Sequence, residues 1–412
     1  MARGIRRALL VVGMSGLPAH ADPAPPFREL LEQSRTVAPA LIESRAAVAF
    51  AEAQVRQARA LPNPTVGIEY ENFGGQPSTP ARISPEQSTV TISQPIEWFG
   101  KRSSRIDASI ADASVQQLKN QHNFARFGHA LALAYAAAEA GEARVRLLED
   151  SATAAVEDRR GAQALVDAGR EAGVRTKQAT AALLAAQADL EGSRAEESEA
   201  LARLTVLVAA PQEFTGVVPS LLRMAETPFV ASAPPRVFAT VAIAQAEREA
   251  ALRKVQLERA RAVPDLSATL GIRRLMGDRD TAFIGGVSLP FPLFDRNGGN
   301  IAAAGADVAA AEARLAAARA EAETGWRAGI AQASAAAARV SAALSAVAAA
   351  DEAYALTRTA YAAGKISLID LLSARRAARD SKLLLLDAQL SRVRTEAALA
   401  LLAGRVPFGD DP

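Results

Sequence analysis

The chain has no cysteine among its 412 residues. That excludes a disulfide scaffold, a thiolate metal site and a lipidated cysteine at the mature N-terminus. Histidine is almost as scarce: His20 lies in the first 21 residues, and only His122 and His129 remain. They stand seven apart on one helical face and read as surface or interface residues, since a metal site needs more ligands than they supply. Aromatic residues are few, and no run of about 18 apolar residues is visible, so any membrane span is expected to be made of strands. An excess of one charge is missing too. Dropping the three arginines of the first 21 residues takes Lys plus Arg from 47 to 44 against 45 acids, a balance that argues against nucleic acid as a partner. Gly285-Gly286 and Gly298-Gly299 have no P-loop context, and no carboxylate pair sits in a recognisable dry cleft. No catalytic residue, cofactor or resident metal is expected, and the protein does not read as an enzyme.

What is present begins with a leader. Arg3, Arg6 and Arg7 precede a short apolar stretch at 8–17 and a small-x-small site at Ala19-His20-Ala21, the pattern of a secretory signal peptide over 1–21. Beyond it the chain repeats itself. Ala60-Leu61-Pro62-Asn63-Pro64 matches Arg261-Ala262-Val263-Pro264-Asp265. Ser93-Gln94-Pro95-Ile96 matches Ser288-Leu289-Pro290-Phe291, and Asp167-Ala168-Gly169-Arg170 matches Ala362-Ala363-Gly364-Lys365. Three matches in one order at a near-constant offset indicate duplication. The expected organisation is a first repeat at 22–210, a Pro-bearing linker at 211–235, a second repeat at 236–403 and a tail at 404–412.

Each repeat reads helix, strand, strand, long helix, tight turn, helix. Helices are expected near 27–60, 102–167, 173–209, 237–262, 299–362 and 367–403, with strands near 64–73, 87–98, 265–275 and 281–294. The two long helices would each span roughly 95 Å at 1.5 Å per residue, more than an ordinary compact domain uses. Leu383, Leu386, Leu390, Val393 and Ala397 follow the 3-4 spacing of a coiled-coil seam. The strands alternate over about the length of a tilted membrane strand. Val66, Ile68 and Tyr70 oppose Thr65, Gly67, Glu69 and Glu71, while Leu270 and Ile272 oppose Thr269 and Arg273. Four strands cannot close a membrane barrel, and open edges are not tolerated in lipid, so the barrel must be shared among identical chains. The fold class is therefore a mixed α and β membrane protein, with four barrel strands plus long coiled-coil helices per chain.

Across almost the whole mature chain these features resemble the TolC family of outer-membrane factors. Leu61-Pro62-Asn63-Pro64-Thr65-Val66-Gly67-Ile68-Glu69-Tyr70-Glu71-Asn72-Phe73-Gly74 and Ser93-Gln94-Pro95-Ile96-Glu97-Trp98-Phe99-Gly100-Lys101-Arg102 are similar to its heavy-metal, CzcC-like branch. Tyr361-Ala362-Ala363-Gly364-Lys365-Ile366-Ser367-Leu368-Ile369-Asp370-Leu371-Leu372 resembles the family's second periplasmic tip. The resemblance implies a TolC-like duct closed as a homotrimer, its barrel in outer-membrane lipid and its helices in the periplasm. It further implies a periplasmic adaptor and an inner-membrane resistance–nodulation–division pump expelling divalent cations. A duct for drugs or a secreted protein is the alternative within transport. A periplasmic structural coiled coil is the alternative outside it.

The expected functional residues fall in three places. Gly169, Arg170, Gly364 and Lys365 form the two tips that would dock the adaptor. Asp370 matches, by the resemblance, one of two aspartates at the closed entrance, and Ser373 stands where the second would be. Asp370 also fits a capping box with Ser367. Glu69, Glu71, Glu97 and Arg273 are expected to face the lumen.

Overall fold

The computed structural model describes residues 22–71, 86–230, 233–276 and 280–408. The expected leader, the loop at 74–80, residues 277–279 of the second hairpin connection and the last four residues of the tail lie outside the described residues. The elements are α1 (Phe27–Val37), α2 (Pro39–Arg59), β1 (Thr65–Glu71), β2 (Gln87–Ile96), α3 (Lys101–Asp167), α4 (Val174–Val208), α5 (Leu221–Met224), α6 (Ala239–Arg261), β3 (Leu266–Leu275), β4 (Thr281–Ser288), α7 (Gly298–Ala362) and α8 (Leu368–Leu402).

Four departures from expectation have physical causes. The helix expected over 27–60 is broken at Ala38, which is extended because Pro39 excludes the helical region for the residue before it. The linker holds the one-turn helix α5. The fourth strand stops at Ser288 instead of 294, since Pro290 and Pro292 have no N–H for the ladder. And one helix does pass the length and apolarity test for a membrane span: a window of α7 reaches a mean hydropathy of 1.4. That value comes from alanine, whose methyl group buries little area per residue, so it is compatible with a close-packed helix.

The chain folds as two compact units, to each of which both repeats contribute. One comprises residues 36–130, 229–335 and 395–408. It contains an antiparallel sheet of order β1-β2-β3-β4, with β1 and β4 as its edges. The register aligns Ile68, Val90, Ile272 and Phe283 in one row and Val66, Ile92, Leu270 and Gly285 in the next. Rows of the other face hold Thr65, Ser93, Thr269 and Gly286, then Glu69, Thr89, Arg273 and Ala282. The period-2 pattern thus separates an apolar from a polar face. Among the helices of this unit, Val241, Ala244, Leu315 and Ala322 form one core and Trp326, Ala333 and Leu399 another. The carbonyls at the end of α2 accept from Arg105, whose Nε donates to Ala58 O at 3.0 Å and Nη2 to Ala60 O at 3.1 Å. In the second repeat Asn297 caps α6 in the same way, its Nδ2 donating to Glu258 O at 2.8 Å. Both satisfy terminal groups the helix leaves unpaired.

The other unit comprises residues 22–35, 131–228 and 336–394. Its helices pack through small residues: Ala162 and Ala179 meet Leu368 and Leu371, and Val340 and Ala343 meet Ala388. Leu386 and Val393 of the expected seam are buried. The linker is pinned by polar groups of α3. The Tyr135 hydroxyl donates toward Pro25 O at 3.0 Å and Val218 O at 2.7 Å, and Glu139 accepts from the N–H groups of Ser220 at 3.0 Å and Leu221 at 2.9 Å.

Candidate functional site: a polar strand face and two helical turns

On the polar face of the sheet the charged side chains are unequal. Arg273 Nε donates to Thr89 Oγ1 at 3.0 Å, and its Nη2 lies 3.5 Å from Glu71 Oε2. Glu71 is therefore neutralised locally. Glu69, in the same row as Arg273, is exposed and forms no ion pair among the described residues. Glu97 differs from expectation. It lies just past β2, and its side chain, 9% exposed, is engaged bidentately by Arg105. It is an element of the strand-to-helix joint rather than an open charge.

The two tips have matching backbones. Gly169 and Gly364 are left-handed, at φ +69° and +68°. Arg170 N donates to Leu165 O and Gly169 N to Val166 O, each at 2.9 Å. Lys365 N to Ala360 O and Gly364 N to Tyr361 O repeat both bonds at 2.9 Å. This is the Schellman arrangement, which requires positive φ at the residue after the cap. Arg170 and Lys365 follow at equivalent exposed positions.

Past the glycines the tips diverge. In the second, Ser367 and Asp370 form a capping box. Asp370 Oδ2 accepts from Ser367 N at 3.0 Å and from Ser367 Oγ at 2.7 Å, and Asp370 N donates to Ser367 Oγ at 3.4 Å. The Ser367 hydroxyl bond first, then the Ser367 N–H, holds the Asp370 carboxyl below its ordinary value, with the positive charge of Arg175 adding to the effect. Ser373 is exposed one turn further on. In the first tip Gly173 precedes α4 with no side-chain cap. The residue 195 positions before Asp370 is Arg175, so equivalent places in the repeats carry opposite charges. Arg175 is tied to Glu171 at 3.2 Å.

Neighbouring α3 and α8 are joined by Asp158 and Arg375. Arg375 Nε also donates to Tyr354 Oη at 3.1 Å, with its guanidinium 5.6 Å from the centre of that ring. Burial pushes the Asp158 carboxyl up while Arg375 pulls it down. Sequence reading missed the Asp158–Arg375 pair, as it missed Tyr135 and Glu139, because partners separated by more than 80 positions leave no local pattern. Arg175 was legible from the repeat offset alone. His122 and His129 are half-buried, and burial lowers both, with Arg126 adding to the effect on His122. Among the described residues no group of three or more His, Cys, Asp or Glu could hold a metal ion.

The profile of the family described as "Outer membrane efflux protein" matches residues 30–210 and 239–405. The chain belongs to this family. Its fold is the family's TolC-like one and its place is the outer membrane. The chain is similar to the nickel-cobalt-cadmium resistance protein NccC of Alcaligenes xylosoxydans xylosoxydans, at 38% identity over 97% of this chain and 91% of that protein. It is also similar to the nickel and cobalt resistance protein CnrC of Cupriavidus metallidurans, at 39% identity over 72% of this chain and 69% of that one. Among solved structures, the outer membrane protein VceC of Vibrio cholerae shares the fold, with a TM-score of 0.74 and 20% identity over 92% of this chain and 96% of that chain. The resemblance to a heavy-metal branch read from residues 61–74 and 93–102 is thus borne out by the relatives' names. Family and fold are those of a transport channel.

Proposed function

We propose that this member of the outer membrane efflux family is the exit duct of a tripartite pump that expels divalent heavy-metal cations. The observation carrying this reading is the 38% identity to NccC over nearly the full length of both chains. Three chains close a shared barrel, each adding four strands and leaving no open edge in lipid. The polar strand face lines the lumen. There Glu71 is offset by Arg273, and Glu69 supplies a net negative charge that favours cations. Gly169, Arg170, Gly364 and Lys365 present the turns that meet a periplasmic adaptor, which links the duct to an inner-membrane resistance–nodulation–division pump. Asp370 serves both as a helix cap and, with Ser373 a turn beyond it, as a charged residue at the entrance.

The test is the sensitivity of a deletion strain to nickel, cobalt, cadmium and zinc beside a panel of hydrophobic drugs. Sensitivity to metals, restored by the chain in trans, is expected. Sensitivity to drugs alone would replace the cargo with an apolar one and remove the role given to Glu69.

A further inference from the structure

The apolar face of the sheet is not evenly filled. In the row Val66, Ile92, Leu270, Gly285 the last position has no side chain, and Phe283 and Val287 flank it on β4. Next to that position, on the side of Leu270, lies a groove of about 540 Å³ lined by Val66, Val90, Ile92, Leu270, Ile272 and Phe283. At its hairpin end the next row on the same face is Tyr70, Ser88, Arg274 and Thr281. Arg274 stands two residues beyond Ile272, roughly 7 Å along the strand. It is exposed and makes no ion pair among the described residues, whereas the adjacent Arg273 points to the other face and is met by Thr89 and Glu71. A cation placed directly above an apolar groove, with a tyrosine in its row, has the chemistry of a phosphorylated lipid: acyl chain below, phosphate above. The four helices that flank the strands, α2, α3, α6 and α7, all join the sheet at its opposite end, so in an outer-membrane protein with periplasmic helices this row lies at the outer leaflet.

We infer that this face carries a specific site for a phosphorylated lipid of the outer leaflet, with Arg274 and Tyr70 holding the phosphate and the groove beside Gly285 holding one acyl chain. The inference rests on the outer-membrane placement but not on the cargo. Its occupant is a lipid because the groove is continuous with the apolar face that a membrane barrel turns to the bilayer. Among the described residues, Glu86 and Asp280 stand at the ends of the neighbouring strands, and neither forms a salt bridge with Arg274.

The experiment is native mass spectrometry of the detergent-extracted full-length oligomer, titrated with lipid A or with phosphatidylcholine of matched chain length. Lipid A should be retained in preference, and Arg274→Gln should reduce its retention about fivefold, the effect of one arginine at an anionic surface, while Arg274→Lys keeps most of it. Gly285→Leu, whose added Cβ meets only Leu270 Cδ2 at 3.8 Å, should lower retention of both lipids with the oligomer intact. Equal retention of lipid A by wild type and Arg274→Gln would overturn the site, and so would oligomers that associate through this face and are not separated by lipid A. Failure of wild type to hold any lipid, with the chain absent from outer-membrane fractions, would instead overturn the placement.

Discussion

Single side chains carry two different kinds of charge in this molecule. Some are buried and committed, as Glu97 is to Arg105, whereas others stand open, as Glu69 does. Glu139 belongs to the first kind at 3% exposure. Burial pushes its carboxyl up, and the N–H bonds from Leu221, Leu222 and Ser220 hold it down less strongly. A raised carboxyl binds its proton more tightly in the folded state. Its contribution to stability is therefore fully present below the ordinary glutamate value and is lost as pH rises through the raised one. Asp158 and Glu197 shift in the same direction, so the readout is a difference. The melting temperature of Glu139→Gln should fall less than that of wild type as pH climbs through this window, and parallel curves would contradict the assignment. Glu139→Ala leaves buried N–H groups unpaired and should cost about 1–3 kcal/mol in chemical denaturation. On the polar strand face, Glu69→Gln should reduce cation preference in single-channel recordings, and Arg273→Gln should increase it by freeing Glu71.

At the scale of elements the repeat sets the turns. Gly169 and Gly364 lie 195 positions apart, and so do Ala209 and Gly404, which close α4 and α8. Both members of the second pair are left-handed, Ala209 at φ +53° and Gly404 at φ +74°, with the same two closing bonds. Alanine is strained there and glycine is not, so Ala209→Gly should stabilise the protein by up to about 1 kcal/mol, read from a denaturant midpoint at unchanged slope. The reverse change at the tip, Gly364→Val, should destabilise the turn by roughly 1–3 kcal/mol and abolish export while the oligomer still assembles. Unchanged export would remove the second tip from the docking surface. Helix and strand existence was legible because period 3.6 and period 2 survive in the sequence, and the Schellman glycines mark their own positions. The break at Ala38 and the short fourth strand were equally local, following from Pro39, Pro290 and Pro292, but the expected helix over 27–60 and strand over 281–294 ran through these prolines. Glu97 misled because alternation was carried one residue beyond the ladder, where the chain turns and the side chain finds Arg105.

For the whole molecule, the open edges of the sheet are what the proposed assembly rests on. Both edge strands, β1 and β4, have one unpaired ladder side among the described residues, and a bilayer offers no water to satisfy it. Closure by further copies is the proposal that this accounting supports, and a trimer is what the resemblance to TolC-like ducts implies. The six tips of such a trimer are alike in backbone and unlike in charge, since Asp370 alternates with Arg175. An adaptor meeting them would face a ring of opposite signs rather than a uniform one. The most direct measurement is cobalt and cadmium export from preloaded cells that retain the adaptor and pump, with and without this chain. Metal held back in the chain's absence and released on its return is the predicted result. Export at the same rate in both strains would show that the cations leave by another route.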